Sequence, residues 1–135
     1  MSHLRQVFYV SRVAPGLDDR VIRRILALSR RKNRMLDVTG CLTCTGGHFA
    51  QVLEGRDAAV AELLEVVAAD PRHADFKIVL DRPLTLREYP LWSMAYLFNT
   101  ELADDIEALF GQQVSSRKAL QMIVRLKPDT VMGAL

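Results

Sequence analysis

Two largely apolar runs, about Asp37 to Thr45 and Gly47 to Glu54, meet at Gly46-Gly47, a pair suited to the tight turn of a β-hairpin. That hairpin limits the folds available, because a helical stripe flanks it on each side. From Asp18 to about Lys32, apolar Val21, Ile22, Ile25, Leu26 and Leu28 recur at helical spacing with arginines between them, and Asp18 or Asp19 lies near the positive end. From Arg56-Asp57 to Asp70-Pro71, Val60, Leu63, Leu64 and Val67 repeat at i, i+3, i+4, i+7. Gln6 to Ser11 reads as a central strand, largely apolar on both faces and ended by Pro15-Gly16. Phe76 to Leu80 puts Phe76, Ile78 and Leu80 on one side, and beyond Arg82-Pro83 the run Leu91 to Phe98 puts Trp92, Met94 and Tyr96 on one face.

The order strand, helix, strand, strand, helix, strand, strand predicts an α+β fold, a ferredoxin-like sheet with both helices on one face. Two more helices follow. Leu102, Ile106, Leu109 and Phe110 form a stripe after a potential cap at Thr100, and Ala119, Leu120, Ile123 and Val124 form another after Ser115-Ser116. The uncovered sheet face is the natural place for both stripes. At 135 residues the chain is long enough for one core without disulfide or metal staples.

Gln51 sits inside the apolar run His48 to Gly55, and period-two alternation turns it toward the face of Phe49 and Leu53, away from Glu54. A primary amide aimed into a core needs partners, since leaving it unpaired costs roughly 1–3 kcal/mol. Tyr9 alternates with Val7 and Ser11 in the first strand, and its phenol needs a partner if buried. Asn33 follows the first helix. Singly, Tyr9 reads as a core or interface tyrosine and Asn33 as a helix C-cap. Together, a phenol and two amides suit the edge of a neutral heteroaromatic ring with carbonyl acceptors and an imide donor, such as an isoalloxazine. They suit hydrolysis poorly, offering neither a carboxylate pair nor a nucleophile with a histidine base.

Cys41 and Cys44 lie three apart in an extended run and so face opposite ways, against a redox dithiol. With His3, His48 and His73 scattered, no zinc set is expected. The 18 basic and 16 acidic residues leave a net charge of +2, too small to announce a polyanion partner. Arg30-Arg31-Lys32-Asn33-Arg34, close to Arg23 and Arg24, reads as a solvated helix end, with a phosphate site as the alternative. The N-terminus lacks an export pattern and no run is long enough to span a membrane, so the expected location is the cytoplasm.

The segments Tyr9-Val10-Ser11-Arg12, Asn33 with Val38-Thr39-Gly40, Phe49-Ala50-Gln51-Val52-Leu53-Glu54-Gly55, Asp70-Pro71-Arg72-His73 and Trp92-Ser93-Met94 resemble the BLUF family of flavin-using blue-light sensors. The resemblance covers roughly residues 3 to 98. It implies a flavin-binding domain over 1–98 and a helical extension over 99–135, as in short members of the family. It also implies noncovalent flavin, usually FAD with FMN possible, between the first two helices. Tyr9 would be hydrogen-bonded to Gln51, Gln51 would contact flavin N5 and the C4 carbonyl region, and Asn33 would hold the C4 carbonyl and N3 edge. Arg72 and His73 match positions at the cofactor-facing end of the second helix.

The implied mechanism is a rearrangement without turnover, so no enzyme activity is expected. Excited flavin takes an electron and a proton from Tyr9 and returns them, and rotation or tautomerisation of the Gln51 amide shifts absorption to the red. Trp92 and Met94 match positions that relay this change toward the C-terminal helices, although both also read as ordinary core residues. The output would pass to a homo-oligomer surface and a separate downstream effector protein. The chain departs from the family pattern at Lys32, where many members carry an amide, at Val66, where some carry arginine, and at Thr43 and Cys44. Lys32 near the C2 carbonyl would stabilise reduced flavin.

Two other classes share the predicted fold. A ferredoxin-like nucleic-acid module needs exposed aromatics and a basic groove, which near-neutral charge and apolar C-terminal helices argue against. An acylphosphatase-like enzyme needs a glycine-rich anion loop, and Ser11-Arg12-Val13-Ala14-Pro15-Gly16 lacks its glycines.

Overall fold

The computed structural model of the chain describes residues 3–89 and 93–126. The elements follow the predicted order: β1 (Leu4–Val13), α1 (Asp19–Met35), β2 (Thr39–Cys44), β3 (His48–Arg56), α2 (Asp57–Ala68), β4 (His73–Leu84) and β5 (Ala95–Phe98). A 3₁₀ turn (Thr100–Leu102), α3 (Ala103–Glu107) and α4 (Ser116–Leu126) complete them. The five strands form one sheet in the order β4-β1-β3-β2-β5, antiparallel except for the β2/β5 pair. This is the ferredoxin-like α+β arrangement with an added edge strand.

The sheet separates two apolar layers. On one face, Ile22 and Leu26 of α1 and Val60, Leu63 and Leu64 of α2 pack on Val7, Tyr9, Leu42, Phe49 and Leu53. On the other, α3 and α4 bring Ile106, Ala119, Met122, Ile123 and Leu126 onto Phe8, Val10, Ala50 and Val52. The C-terminal helices therefore cover the sheet face that the sequence left open. Cys41 belongs to the second layer and Cys44 to the first, as strand alternation requires, and neither forms a disulfide.

Local chemistry accounts for the boundaries. Asp18 caps α1 by accepting from the Val21 N–H, and the helix ends with Asp37 in the left-handed region, φ 56°. Gly40 has φ 153°, and a Cβ built on it would lie 1.8 Å from the Val52 carbonyl oxygen of β3. Only glycine lets β2 approach there.

Four expectations need correction. Phe76, Ile78 and Leu80 do not share a side, because the β1/β4 register shifts between Phe8↔Leu80 and Tyr9↔Ile78, so Val79 is an extra residue. Phe76 stays with the α1/α2 layer while Leu80 turns to the other. The last strand is Ala95–Phe98; Met94 precedes it, and Leu91 and Trp92 lie outside the described residues. Asn99, not Thr100, caps the 3₁₀ turn, by accepting from the Glu101 N–H. In α4, Val124 is 72% exposed, and the buried stripe is Ala119, Met122, Ile123 and Leu126. Pro83 is accommodated in β4 because that strand forms a sheet edge.

Candidate functional site

Tyr9 and Gln51 are direct cross-strand partners in the β1/β3 ladder, so their side chains leave the same sheet face side by side. The Tyr9 hydroxyl donates to Gln51 Oε1. Both residues are buried, Gln51 being 7% exposed. Burial first, then the Asp70 charge, pushes the phenol above its ordinary pKa, so Tyr9 keeps its proton. The other end of the Gln51 amide faces Met94, with Nε2 3.2 Å from the thioether Sδ. A thioether is a weak acceptor. The Gln51 amide thus has one strong hydrogen bond and one weak one.

This pair floors a cleft between α1 and α2. Ile25, Leu28, Lys32 and Asn33 supply one wall, Leu63, Val66 and Val67 the other, and Leu42, Phe49 and Leu53 join the floor. Asp70, Arg72 and His73 close one end. Arg72 is tied to Asp70, its Nε 2.9 Å from Oδ1, and this hydrogen bond is the main reason the Asp70 carboxyl sits below the usual carboxylate range. His73 Nε2 bonds the Val67 carbonyl, and its ring centroid lies 6.4 Å from that of Tyr9. Lys32 is exposed at the rim.

Asn33 is not the helix cap; Leu36 takes that position. Its side chain is buried in the last turns of α1 and donates through Nδ2 to the Ser93 carbonyl at 3.0 Å. Arg30, one helical turn earlier, donates through Nε to the Met94 carbonyl at 3.0 Å. The segment before β5 is therefore stitched to α1 by two side chains while Met94 touches Gln51. Sequence reasoning missed Arg30, because a bond to a carbonyl 64 residues away leaves no local pattern.

Sequence reasoning also missed Glu54. It is fully buried on the opposite sheet face, accepting from Gln6 Nε2 at 2.7 Å and from the Tyr89 N–H at 2.9 Å. Burial is the main cause that raises its pKa, against those two hydrogen bonds. The signal was available: a strand apolar on both faces buries its polar residues too.

The donor set fits a flavin. Among the described residues Asn33 Oδ1 meets no protein donor, and Asn33 and Gln51 each keep an N–H beyond the bonds above, offering donors and an acceptor at the floor of an apolar slot. Ile25, Leu28 and Val66 are suited to the faces of a flat ring. Among the described residues no group of three or more His, Cys, Asp or Glu side chains is placed to hold a metal ion, and no helix is long and apolar enough to cross a membrane.

A ferredoxin-like sheet whose first two helices bracket an apolar slot over a Tyr–Gln pair is a small α+β domain suited to holding a flat ring. The profile of the BLUF family, sensors of blue-light using FAD, matches residues 4–95, and the chain belongs to that family. Its fold matches the dark-state structure of BlrB, a BLUF protein, with 34% identity and a TM-score of 0.78 over 93% of this chain and 96% of that one. It is 29% identical to photoactivated adenylate cyclase subunit beta of Euglena longa over 99% of this chain and 16% of that protein. Over 52% of this chain and 17% of that protein, it is 33% identical to the blue light- and temperature-regulated antirepressor BluF of Escherichia coli (strain K12). BlsA in its photo-activated state shares the fold, with a TM-score of 0.80 at 23% identity. The chain spans about a sixth of the length of these curated relatives. BLUF domains bind flavin, and blue-light sensing is the function of the family.

Proposed function

We propose that this chain senses blue light through a flavin held between α1 and α2, with the Tyr9–Gln51 pair as the switch. The observation that carries this reading is the buried Tyr9 hydroxyl donating to Gln51 Oε1 on the floor of an apolar cleft. Asn33 and Gln51 hold the polar edge of the ring, Lys32 lies at the rim, and Arg72 and His73 close the cofactor-facing end. FAD is the favoured flavin, with FMN as the alternative. When bound, the flavin supplies absorption of blue light and an excited state that oxidises a neighbouring phenol.

Tyr9 holds the exchangeable proton at Oη, hydrogen-bonded to Gln51 Oε1, and in this reading the electron and proton that Tyr9 gives up would go to the flavin and return to Tyr9. Rotation or tautomerisation of the Gln51 amide changes which atoms face Tyr9 and Met94, and because both contacts are buried the change reaches Met94 directly. Met94, with Trp92 beside it in the chain, relays that change, and Arg30 and Asn33 of α1 hold the same segment by its carbonyls. Residues 1–98 form the sensing unit, and residues 99–135 carry the output to a second copy of the chain and to a separate cytoplasmic effector. The chain itself has no catalytic turnover in this reading.

The test is the visible spectrum of the purified protein in darkness and after blue illumination. A flavin band with a reversible red shift, lost in Gln51→Leu and Tyr9→Phe, is expected. A colourless protein that takes up no added FAD or FMN overturns the proposal, as does a shift that survives both substitutions.

A further inference from the structure

The outer face of α1 carries a row of arginines that the flavin site does not use. At about 100° per residue, Arg20, Arg23, Arg24, Arg31 and Arg34 fall within an arc of roughly 100° on the side away from the core, over a rise of about 21 Å. All five are exposed. Among the described residues, Arg20, Arg24, Arg31 and Arg34 have no carboxylate within ion-pair distance.

Helix energetics account for only half of the row. Arg31 and Arg34 lie near the C-terminus, where the helix dipole favours cations. Arg20, Arg23 and Arg24 lie in the first turns, where the same dipole opposes them. Arg20 and Arg24 are also like charges four residues apart, an arrangement that destabilises a helix. Four of these arginines, Arg20, Arg24, Arg31 and Arg34, sit on one face with no counter-charge among the described residues, which points to a counter-charge from outside.

We propose that this face of α1 docks an acidic polypeptide, a helix or extended segment of a partner protein presenting Asp and Glu carboxylates along about 20 Å. Guanidinium groups match carboxylates in bidentate geometry, and all five positions are arginine, not lysine. Met35, an apolar side chain 80% exposed, lies at one edge of the row, and such a residue favours a protein surface over a phosphate backbone. Outside α1 the chain holds 11 basic and 15 acidic residues, so a long polyanion meets repulsion beyond the helix whereas a short acidic segment does not. The surface lies on the helix that also carries Asn33 into the cleft, although the proposal does not depend on flavin.

The test measures binding of a glutamate peptide of about 14 residues, long enough to span the row as a helix, and of a DNA duplex to the full chain at about 50 mM salt, where exposed charges are only partly screened. The variants are R20S/R24S, R31S/R34S and their quadruple combination, with R117S/K118S on α4 as the control. All four target positions are exposed and away from the cleft, so the circular dichroism and the flavin red shift report intact folding. Binding of the glutamate peptide is expected to weaken about tenfold or more in the quadruple variant, four ordinary exposed ion pairs being lost, to weaken partly in each pair, and to stay unchanged in the control. No binding by the unmodified chain, or binding retained in the quadruple variant, overturns the proposal. So does tighter binding of the duplex with the same dependence on these arginines, which would assign the row to phosphate.

Discussion

Removing the Glu54 carboxylate is expected to destabilise the fold by an amount that shrinks as pH rises. Glu54→Ala leaves two buried donors without their acceptor, Gln6 Nε2 and the Tyr89 N–H, at 2.7 and 2.9 Å in the intact protein. Each orphaned donor costs about 1–3 kcal/mol, so the loss at acidic pH is about 2–6 kcal/mol. Glu54 is fully buried, and burial raises its folded-state pKa above the unfolded value. Between those two values the folded chain keeps a proton that the unfolded chain has released, so stability falls as pH rises through that window. The stabilising contribution of Glu54 is therefore complete below the ordinary glutamate pKa and diminished above the raised one. Urea unfolding of both proteins from about pH 4 to about pH 8 measures the difference directly. A difference under about 0.5 kcal/mol at every pH, or one that grows with pH, would refute the reasoning.

Three further outcomes are expected. Gly40→Ala pushes a Cβ to 1.8 Å from the Val52 carbonyl oxygen, in backbone that cannot swing aside, and should cost about 2–5 kcal/mol in urea unfolding; a loss below 1 kcal/mol would count against the close β2/β3 approach. Met94→Ala empties a fully buried site beside Gln51 and should cost about 2–5 kcal/mol, whereas Met94→Leu should cost under about 1.5 kcal/mol, as thermal unfolding of the two variants will tell. The Arg72 hydrogen bonds hold the Asp70 carboxyl below the usual range, so its contribution is present above the unfolded carboxylate pKa and is lost as pH falls through the folded one. Asp70→Asn should remove that acid-side loss, worth under about 1 kcal/mol because Arg72 is largely solvated, and an unchanged acid-unfolding profile would speak against the pair.

Most of the site was legible because its residues announce themselves locally. Gln51 is a polar group in an apolar strand and Tyr9 a phenol in another, whereas Arg72 and His73 came only from the resemblance to the BLUF family. The structure brings Tyr9, Gln51, Asn33, Lys32, Arg72 and His73 to one cleft and sets Met94 against Gln51. The second role of Asn33, as donor to the Ser93 carbonyl, was not legible, since nothing near Asn33 in the chain marks that partner. Trp92 lies outside the described residues.

Periodicity by itself determined the element order, the two-layered packing and the faces of most strands, because side-chain direction in a helix or strand follows from local backbone geometry. Only the tertiary structure decided what depends on a neighbour distant in sequence. The extra residue at Val79 divides Phe76 from Leu80, an offset set by pairing with β1 and invisible within β4. Glu54 accepts from Gln6 and from the Tyr89 N–H, so alternation could turn it away from Gln51 and toward a covered face but could not name the distant donors that meet its carboxylate there. Arg30 and Asn33 reach the segment before β5 because the fold sets α1 beside it, and that juxtaposition is a property of the sheet order, not of either segment.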